Sequence, residues 1–220
     1  MSELAGGTTT KIKPYYESEL VTLYHGDCLE IMEWLEADVL VTDPPYGMSY
    51  KSGWTNRPEI ANDTTIQVRD DALKLWGEKP ALVFGTWRVA RPQATRNLLV
   101  WSKGDDPGMG DLTIPWGLSH EEIYVLGKGF VGKRESSVIK ANKPPVATRP
   151  DHPTPKPVGL MEKLIQKTQG VIADPFAGSG ATLVAARNLG RKVIGVEMEE
   201  KYCELIANRL SQEAFDFGGI

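Results

Sequence analysis

Asp43-Pro44-Pro45-Tyr46-Gly47 follows directly on the apolar run Val39-Leu40-Val41-Thr42. Proline has no N–H to donate to a strand ladder and restricts the residue before it, so a strand must stop at this point. The same two prolines hold the backbone rigid, and with it the Asp43 carboxylate and the Pro44 carbonyl as a pair of acceptors. Such a pair can take both protons of an exocyclic aromatic amine, while Tyr46 offers a flat face for stacking. A proline-rich turn with a capping Asp and a core Tyr uses the same residues, and this turn alone does not separate the two readings.

A second turn also follows a short apolar run. Asp174-Pro175-Phe176-Ala177-Gly178-Ser179-Gly180 joins Val171-Ile172-Ala173 to a helical pattern that begins at Ala181. Its two glycines let the backbone turn tightly and approach a ligand closely beside a helix N-terminus. Leu183 stands where a dinucleotide fingerprint needs its third glycine, and no Lys follows the glycines as in a phosphate loop. The next strand closes on Glu197, an acid placed to accept hydrogen bonds from ribose hydroxyls. Asp174 before the turn and Glu197 beyond it favour a nucleoside without phosphates over a plain strand–helix connection.

The elements that must position these turns are readable from periodicity. Residues 1–19 read as a flexible arm, and Leu20 to Tyr24 as a strand. Asp27 to Leu35 has a helical pattern, and residues 50–79 form a long loop with a helix near Asp71 to Trp76. Ala81 to Phe84, Asn97 to Trp101 and Glu121 to Leu126 are strand-like. The last third alternates helix and strand: Val158 to Thr168, Val171 to Ala173, Ala181 to Leu189, Lys192 to Val196 and Lys201 to Leu210. This order predicts an α/β fold, a doubly wound and mostly parallel sheet with helices on both faces, formed by one domain over residues 20–220.

Composition bounds the partners. The 220 residues are 41% apolar and 25% charged, ordinary for a globular chain, and the net charge is −4. A dedicated nucleic-acid coat would be strongly basic, so any nucleic acid must be held by a local patch. The one concentrated basic stretch carries Lys128, Lys133, Arg134, Lys140, Lys143 and Arg149 against a single acid, Glu135. Cys28 and Cys203 form neither a disulfide framework nor a zinc spacing. No signal peptide and no membrane-spanning run are visible, so a cytoplasmic location is expected.

Taken together, the two turns resemble the catalytic and cofactor loops of the S-adenosylmethionine-dependent DNA amino-methyltransferases. Asp43 to Tyr46 resembles their DPPY motif, and Asp174 to Gly180 their DPFxGSG motif. The catalytic motif comes first, which is similar to the circularly permuted β group. His152-Pro153-Thr154-Pro155-Lys156-Pro157 resembles the HPTxKP motif that precedes the cofactor strand in that group, and His25-Gly26-Asp27-Cys28-Leu29 resembles an opening GDCLE stretch. The likeness runs from about Leu20 to Leu210. It implies a Rossmann-like class I methyltransferase with a seven-stranded sheet in permuted order. It also implies S-adenosylmethionine as cofactor and double-stranded DNA as partner.

By that resemblance Asp43, Pro44, Pro45 and Tyr46 handle a flipped-out base, with Asp43 and Pro44 on its amine and Tyr46 stacked against it. Phe176, Ala177, Gly178, Ser179 and Gly180 pass beneath the methionine end of the cofactor, and Asp174 faces its ammonium. Glu197 holds the ribose, Asp27 the adenine amine, and Thr154 and Lys156 the methionine carboxylate. His152 is structural. Trp54, Trp87 and Trp101 are core candidates first and stacking candidates second. Asp at the first motif position is the family's usual adenine-N6 form; cytosine-N4 enzymes usually carry Ser and protein-glutamine enzymes Asn, and an RNA target or a silent DNA-binding module are the other readings. The family usually inserts a target-recognition domain where this chain has only residues 128–151. A brief target is therefore expected, its reading shared across a homodimer, with phosphates held by the basic stretch beside the cleft.

Overall fold

The computed structural model describes residues 12–47, 65–104, 112–143 and 154–215. Strands form at Tyr16–Glu17 (β1), Val21–His25 (β2), Val39–Thr42 (β3), Ala81–Gly85 (β4), Asn97–Ser102 (β5), His120–Leu126 (β6), Val138–Lys140 (β7), Ile172–Asp174 (β8) and Val193–Glu197 (β9). They join in one sheet in the order β1-β2-β9-β8-β3-β4-β6-β5-β7. The run from β2 to β4 is parallel, β6 is antiparallel to both β4 and β5, and β1 is antiparallel to β2.

Buried strands need cover on both faces, and β3 shows how it is supplied. Val39 and Val41 enter one apolar cluster while Leu40 enters the other. The first cluster is closed by Val158–Ile165 (α2), Ala181–Asn188 (α3) and Glu200–Phe215 (α4), through Leu160, Leu164, Leu183 and Ile206. The second is closed by Gln67–Trp76 (α1) and a 3-10 turn at Glu33–Glu36, whose Trp34 and Trp76 rings stack 5.7 Å apart. None of the described helices is long and apolar enough to cross a membrane.

The expected doubly wound α/β sheet is present, with nine strands among the described residues rather than seven. The two additions are short edge strands. The arm expected over residues 1–19 contributes β1, whose Tyr16 pairs with Leu23. In the basic stretch, too poor in periodic apolar residues to signal a strand, β7 pairs with β5. The helix expected over residues 27–35 is a turn followed by the 3-10 segment. The Asp27 carboxylate accepts from the Leu29 N–H at 2.8 Å, and this side-chain competition favours a turn over a regular helix.

The basic stretch is also not one surface. Gly127 turns at the foot of β4, where a Cβ would lie 2.6 Å from the Lys79 carbonyl oxygen. The Val131 N–H then donates to the Lys167 carbonyl, and Lys167 Nζ donates to the Lys133 carbonyl at 3.0 Å. Lys128, Lys133 and Arg134 therefore stand by the amino-terminal ends of the parallel strands. Lys140 lies beside Ser102 at the other end, with Lys143 after it. Arg149 and Trp54 lie outside the described residues, as do His152 and Pro153.

Candidate active site

Strands β3 and β8 are neighbours, and their crossovers leave in opposite directions, β3 through α1 to β4 and β8 through α3 to β9. Such a switch point leaves a crevice at the carboxyl ends of the strands, where open α/β sheets bind ligands. A cleft of about 370 Å³ lies there, within the usual range for small-molecule sites. It brings together Asp27, Asp43, Pro44, Pro45, Tyr46, Thr154, Lys156, Asp174, Phe176, Ala177, Gly178, Ser179 and Glu197. Lys128, Lys133, Arg134, Lys140 and Lys143 do not line it. The basic stretch is divided: Lys128, Lys133 and Arg134 stand at the far end of the sheet, while Lys140 lies at the end that carries the cleft.

The two turns are tied to each other. Thr42, the last residue of β3, donates its hydroxyl to Asp174 Oδ1 at 2.6 Å, and the Phe176 N–H donates to the same oxygen at 3.2 Å. Burial pushes the Asp174 carboxyl up to about 6, against the pull of those hydrogen bonds and of the Thr182 hydroxyl. Glu197 closes β9 and accepts at both oxygens, from the Gly178 N–H at 2.7 Å and the Glu199 N–H at 2.8 Å. Burial raises it to about 7. Gly178 has φ 53°, a left-handed conformation that glycine adopts without strain, and this turns its N–H onto Glu197. Gly180 also has positive φ, but its lack of a side chain serves packing: a Cβ there would lie 2.8 Å from Ile206 Cγ1 of α4.

The acceptor turn is organised by a buried cation. Tyr46 donates its hydroxyl to Asp43 Oδ1 at 2.5 Å, and Lys156 donates to Asp43 Oδ2. Lys156 also contacts Glu121 Oε2 at 3.2 Å, and Lys103 contacts Glu121 Oε1 at 2.5 Å. Burial pushes the Asp43 carboxyl above its usual range; Lys156 opposes the shift and Glu121 adds to it. The Lys156 ammonium is held above its ordinary range, because Asp43 and Glu121 together outweigh its burial.

Lys156 is only 7% exposed, which excludes a solvated surface role. Its ammonium meets Asp43 and Glu121, where the resemblance assigns it to a methionine carboxylate. Neither Glu121 nor Lys103 was singled out from sequence; no motif marks them, and only the pairing of β5 with β6 brings them to the cleft. Of the tryptophans, Trp101 is buried in the core, while Trp87 is 61% exposed at the cleft.

The charge of the cleft is divided. Its three Lys and Arg residues among the described residues, Arg88, Lys103 and Lys156, come from β4 onward and from the approach to α2. They share that side with Asp43, Glu121 and Glu122, whereas Asp27, Asp174, Glu197 and Glu199 near the glycine turn have no Lys or Arg of the lining among them. An acid-lined half with a rigid N–H turn repels phosphates and suits hydroxyls and a cationic group. The opposite wall carries the rigid acceptor Asp43 beside the Tyr46 ring.

Comparison with known proteins bears on the family and the fold. The family profile for DNA methylases of the N6/N4 type matches residues 100–209. YubD of Escherichia coli (strain K12) is 30% identical over 84% of this chain and 88% of its own length. The type II methyltransferase M.ScaI of Streptomyces caespitosus is 27% identical over 92% of this chain and 85% of its own. Among solved structures, the M1.HpyAVI–SAM complex superposes with a TM-score of 0.62 at 24% identity, covering 86% of this chain and all of that one. PvuII DNA methyltransferase, named as cytosine-N4-specific, superposes with a TM-score of 0.66 at 16% identity over 89% of this chain and 88% of that one. These last two show likeness of fold.

Proposed function

The chain belongs to the N6/N4 DNA methylase family, and from that premise we propose that it methylates the exocyclic N6 of a flipped-out adenine in duplex DNA, with S-adenosylmethionine as methyl donor. The observation that carries the reading is the position of the Asp43 carboxylate. It stands on the wall of a cleft whose other half is an acid-lined glycine turn, and an Asp heads the acceptor motif.

When bound, S-adenosylmethionine supplies a methyl group on a positively charged sulfur, an excellent leaving group that needs no general-base histidine. The difficulty lies with the aromatic amine, whose lone pair is delocalised into its ring. Asp43 and the Pro44 carbonyl accept hydrogen bonds from its two N–H groups, which favours localised density on nitrogen and aims it at the donor. Both Asp43 oxygens already have donors, Tyr46 and Lys156. The Tyr46 hydroxyl therefore leaves Oδ1 as its ring turns to stack on the base. Asp174 and the Phe176 to Gly180 turn hold the amino-acid end of the donor, Glu197 its ribose and Asp27 its adenine. Thr154 lines the cleft, with Lys156 two residues on committed to Asp43.

The test is mass spectrometry of nucleosides from duplex DNA incubated with the protein and labelled donor. N6-methyladenine supports the reading; N4-methylcytosine alone, or label only in RNA or protein, overturns it.

Glu197 gives the cofactor subsite a pH dependence. With its carboxyl near 7 in the fold and near 4.5 in the unfolded chain, the folded state holds the extra proton between those values. Stability therefore falls as pH rises from about 4.5 through 7 and levels off above. Ribose hydroxyls donate to the ionised form, so binding lowers this pKa. Cofactor affinity is expected to rise as pH climbs to about 7 and to level off above it, with proton release on binding at pH 7. Calorimetry in two buffers of different ionisation enthalpy checks it; equal heats would refute the assignment of Glu197.

The divided basic stretch sets another expectation. Neutralising Lys128, Lys133 and Arg134 should leave the salt dependence of DNA binding unchanged, since they stand at the far end of the sheet. Neutralising Lys140 and Lys143 should lower the log–log slope by about 0.9 for each phosphate no longer neutralised. A salt titration of the two variants beside the parent, with sedimentation to detect a homodimer on DNA, decides which end of the sheet holds DNA.

A further inference from the structure

Glu121 has no role in the reading above, yet it belongs to the same buried ion group as Asp43. Lys156 bridges the two carboxylates, donating to Asp43 Oδ2 and contacting Glu121 Oε2 at 3.2 Å. Lys103, on the neighbouring strand, holds Glu121 Oε1. Glu121 Oε2 has no well-aligned hydrogen bond among the described residues, so its charge is only partly matched on the side facing Lys156. Burial pushes the Glu121 carboxyl up, but Lys156 and Lys103 outweigh this and hold it below the usual carboxylate range. Glu121 and Asp43 thus share one ammonium, which Lys103 helps to balance on the Glu121 side only.

We propose that Glu121 is a positioning residue that sets the basicity of Asp43, by sharing Lys156 with it and by facing it with a like charge. The need arises after transfer, and here the inference rests on the amine target proposed above. Once nitrogen has bonded to the methyl carbon it carries one proton too many and a positive charge. An N–H bond breaks, its electron pair returns to nitrogen, and the proton forms an O–H bond at the Asp43 carboxylate, which later gives it to water. An Asp43 neutralised by an undivided Lys156 is a poor acceptor for that proton. Glu121 divides the lysine, and Lys103 keeps Glu121 from taking it altogether.

Other titratable groups surround the pair. Tyr46 donates to Asp43, Asp174 adds a like charge from β8, His120 flanks Glu121, and Glu122 is engaged by Arg91 and the Tyr124 hydroxyl. None is altered in the variants that test the idea.

Those variants are Glu121→Gln and Lys103→Gln in the full chain. The readout is the titration midpoint of the Asp43 carboxyl carbon, followed by NMR of carbon-13-labelled Asp and assigned with Asp43→Asn. Glu121→Gln should lower the midpoint by about one unit, since a like charge is lost and Lys156 turns wholly to Asp43. Lys103→Gln should raise it, because Lys156 is drawn toward Glu121. The acid limb of the single-turnover rate on duplex DNA should move in the same two directions. A midpoint unmoved in both variants, or moved the same way in both, overturns the proposal. Should Glu121→Gln fail to fold, an unmoved midpoint in Lys103→Gln overturns it alone. The carbon titration needs neither cofactor nor DNA, so it stands apart from whether adenine is the target.

Discussion

Asp43→Ala is expected to slow methyl transfer to duplex DNA by about 10²–10³, the cost of losing one preorganised group aimed at developing charge. Cofactor affinity should stay close to that of the parent. The reason is spatial: Asp43 stands on the β3 turn with Tyr46 and Lys156, whereas the glycine turn and Glu197 occupy the other half of the cleft. The substitution also leaves Lys156 with Glu121 as its remaining acid partner, so the buried ammonium is not stranded. Single-turnover rates with labelled donor, beside calorimetry of donor binding, separate the two effects. Near-parental turnover removes Asp43 from the chemistry; loss of donor binding moves it to the cofactor side.

Gly178→Val should abolish cofactor binding. Gly178 holds φ 53°, where a branched side chain is strained by roughly 1–2 kcal/mol or more, and its N–H fixes Glu197 at 2.7 Å. A valine would both push the turn out of that conformation and fill the space a ligand must enter. Gly178→Ala should give an intermediate loss, because it keeps the space while retaining part of the strain. Calorimetric titration with the donor reads both. If the two variants bind like the parent, the glycine turn is a plain strand–helix connection.

Both turns were legible in the sequence because each is local. Two prolines after an apolar run, or two glycines between a strand and a helix, declare their geometry within a few residues. What packs against them was not legible. Lys156 reads as a motif residue, but its partners are Asp43 and Glu121, which the chain brings together only through the sheet. Lys103 reaches Glu121 because β5 pairs with β6, a pairing that no motif marks. Short edge strands fail for a related reason. β7 has three residues, neither of its ends is buried, and only its place beside β5 makes it a strand. The basic stretch reads as one patch because its charges are adjacent along the chain, but the sheet carries them to both of its ends.

The bond from Thr42 to Asp174 spans 132 residues of chain. Beside it, β3 pairs with β8, while β2 pairs with β9. The acceptor turn is therefore fixed by partners from the far end of the sequence, and closing so long a loop must precede any gain from the pairing. Folding dominated by such distant partners is slow, and a nascent chain that has already emerged with Asp43 in it cannot yet shape the turn. Catalytic competence and the completed central sheet should then arise in one step, so that a half-folded enzyme carries no partial and unselective activity.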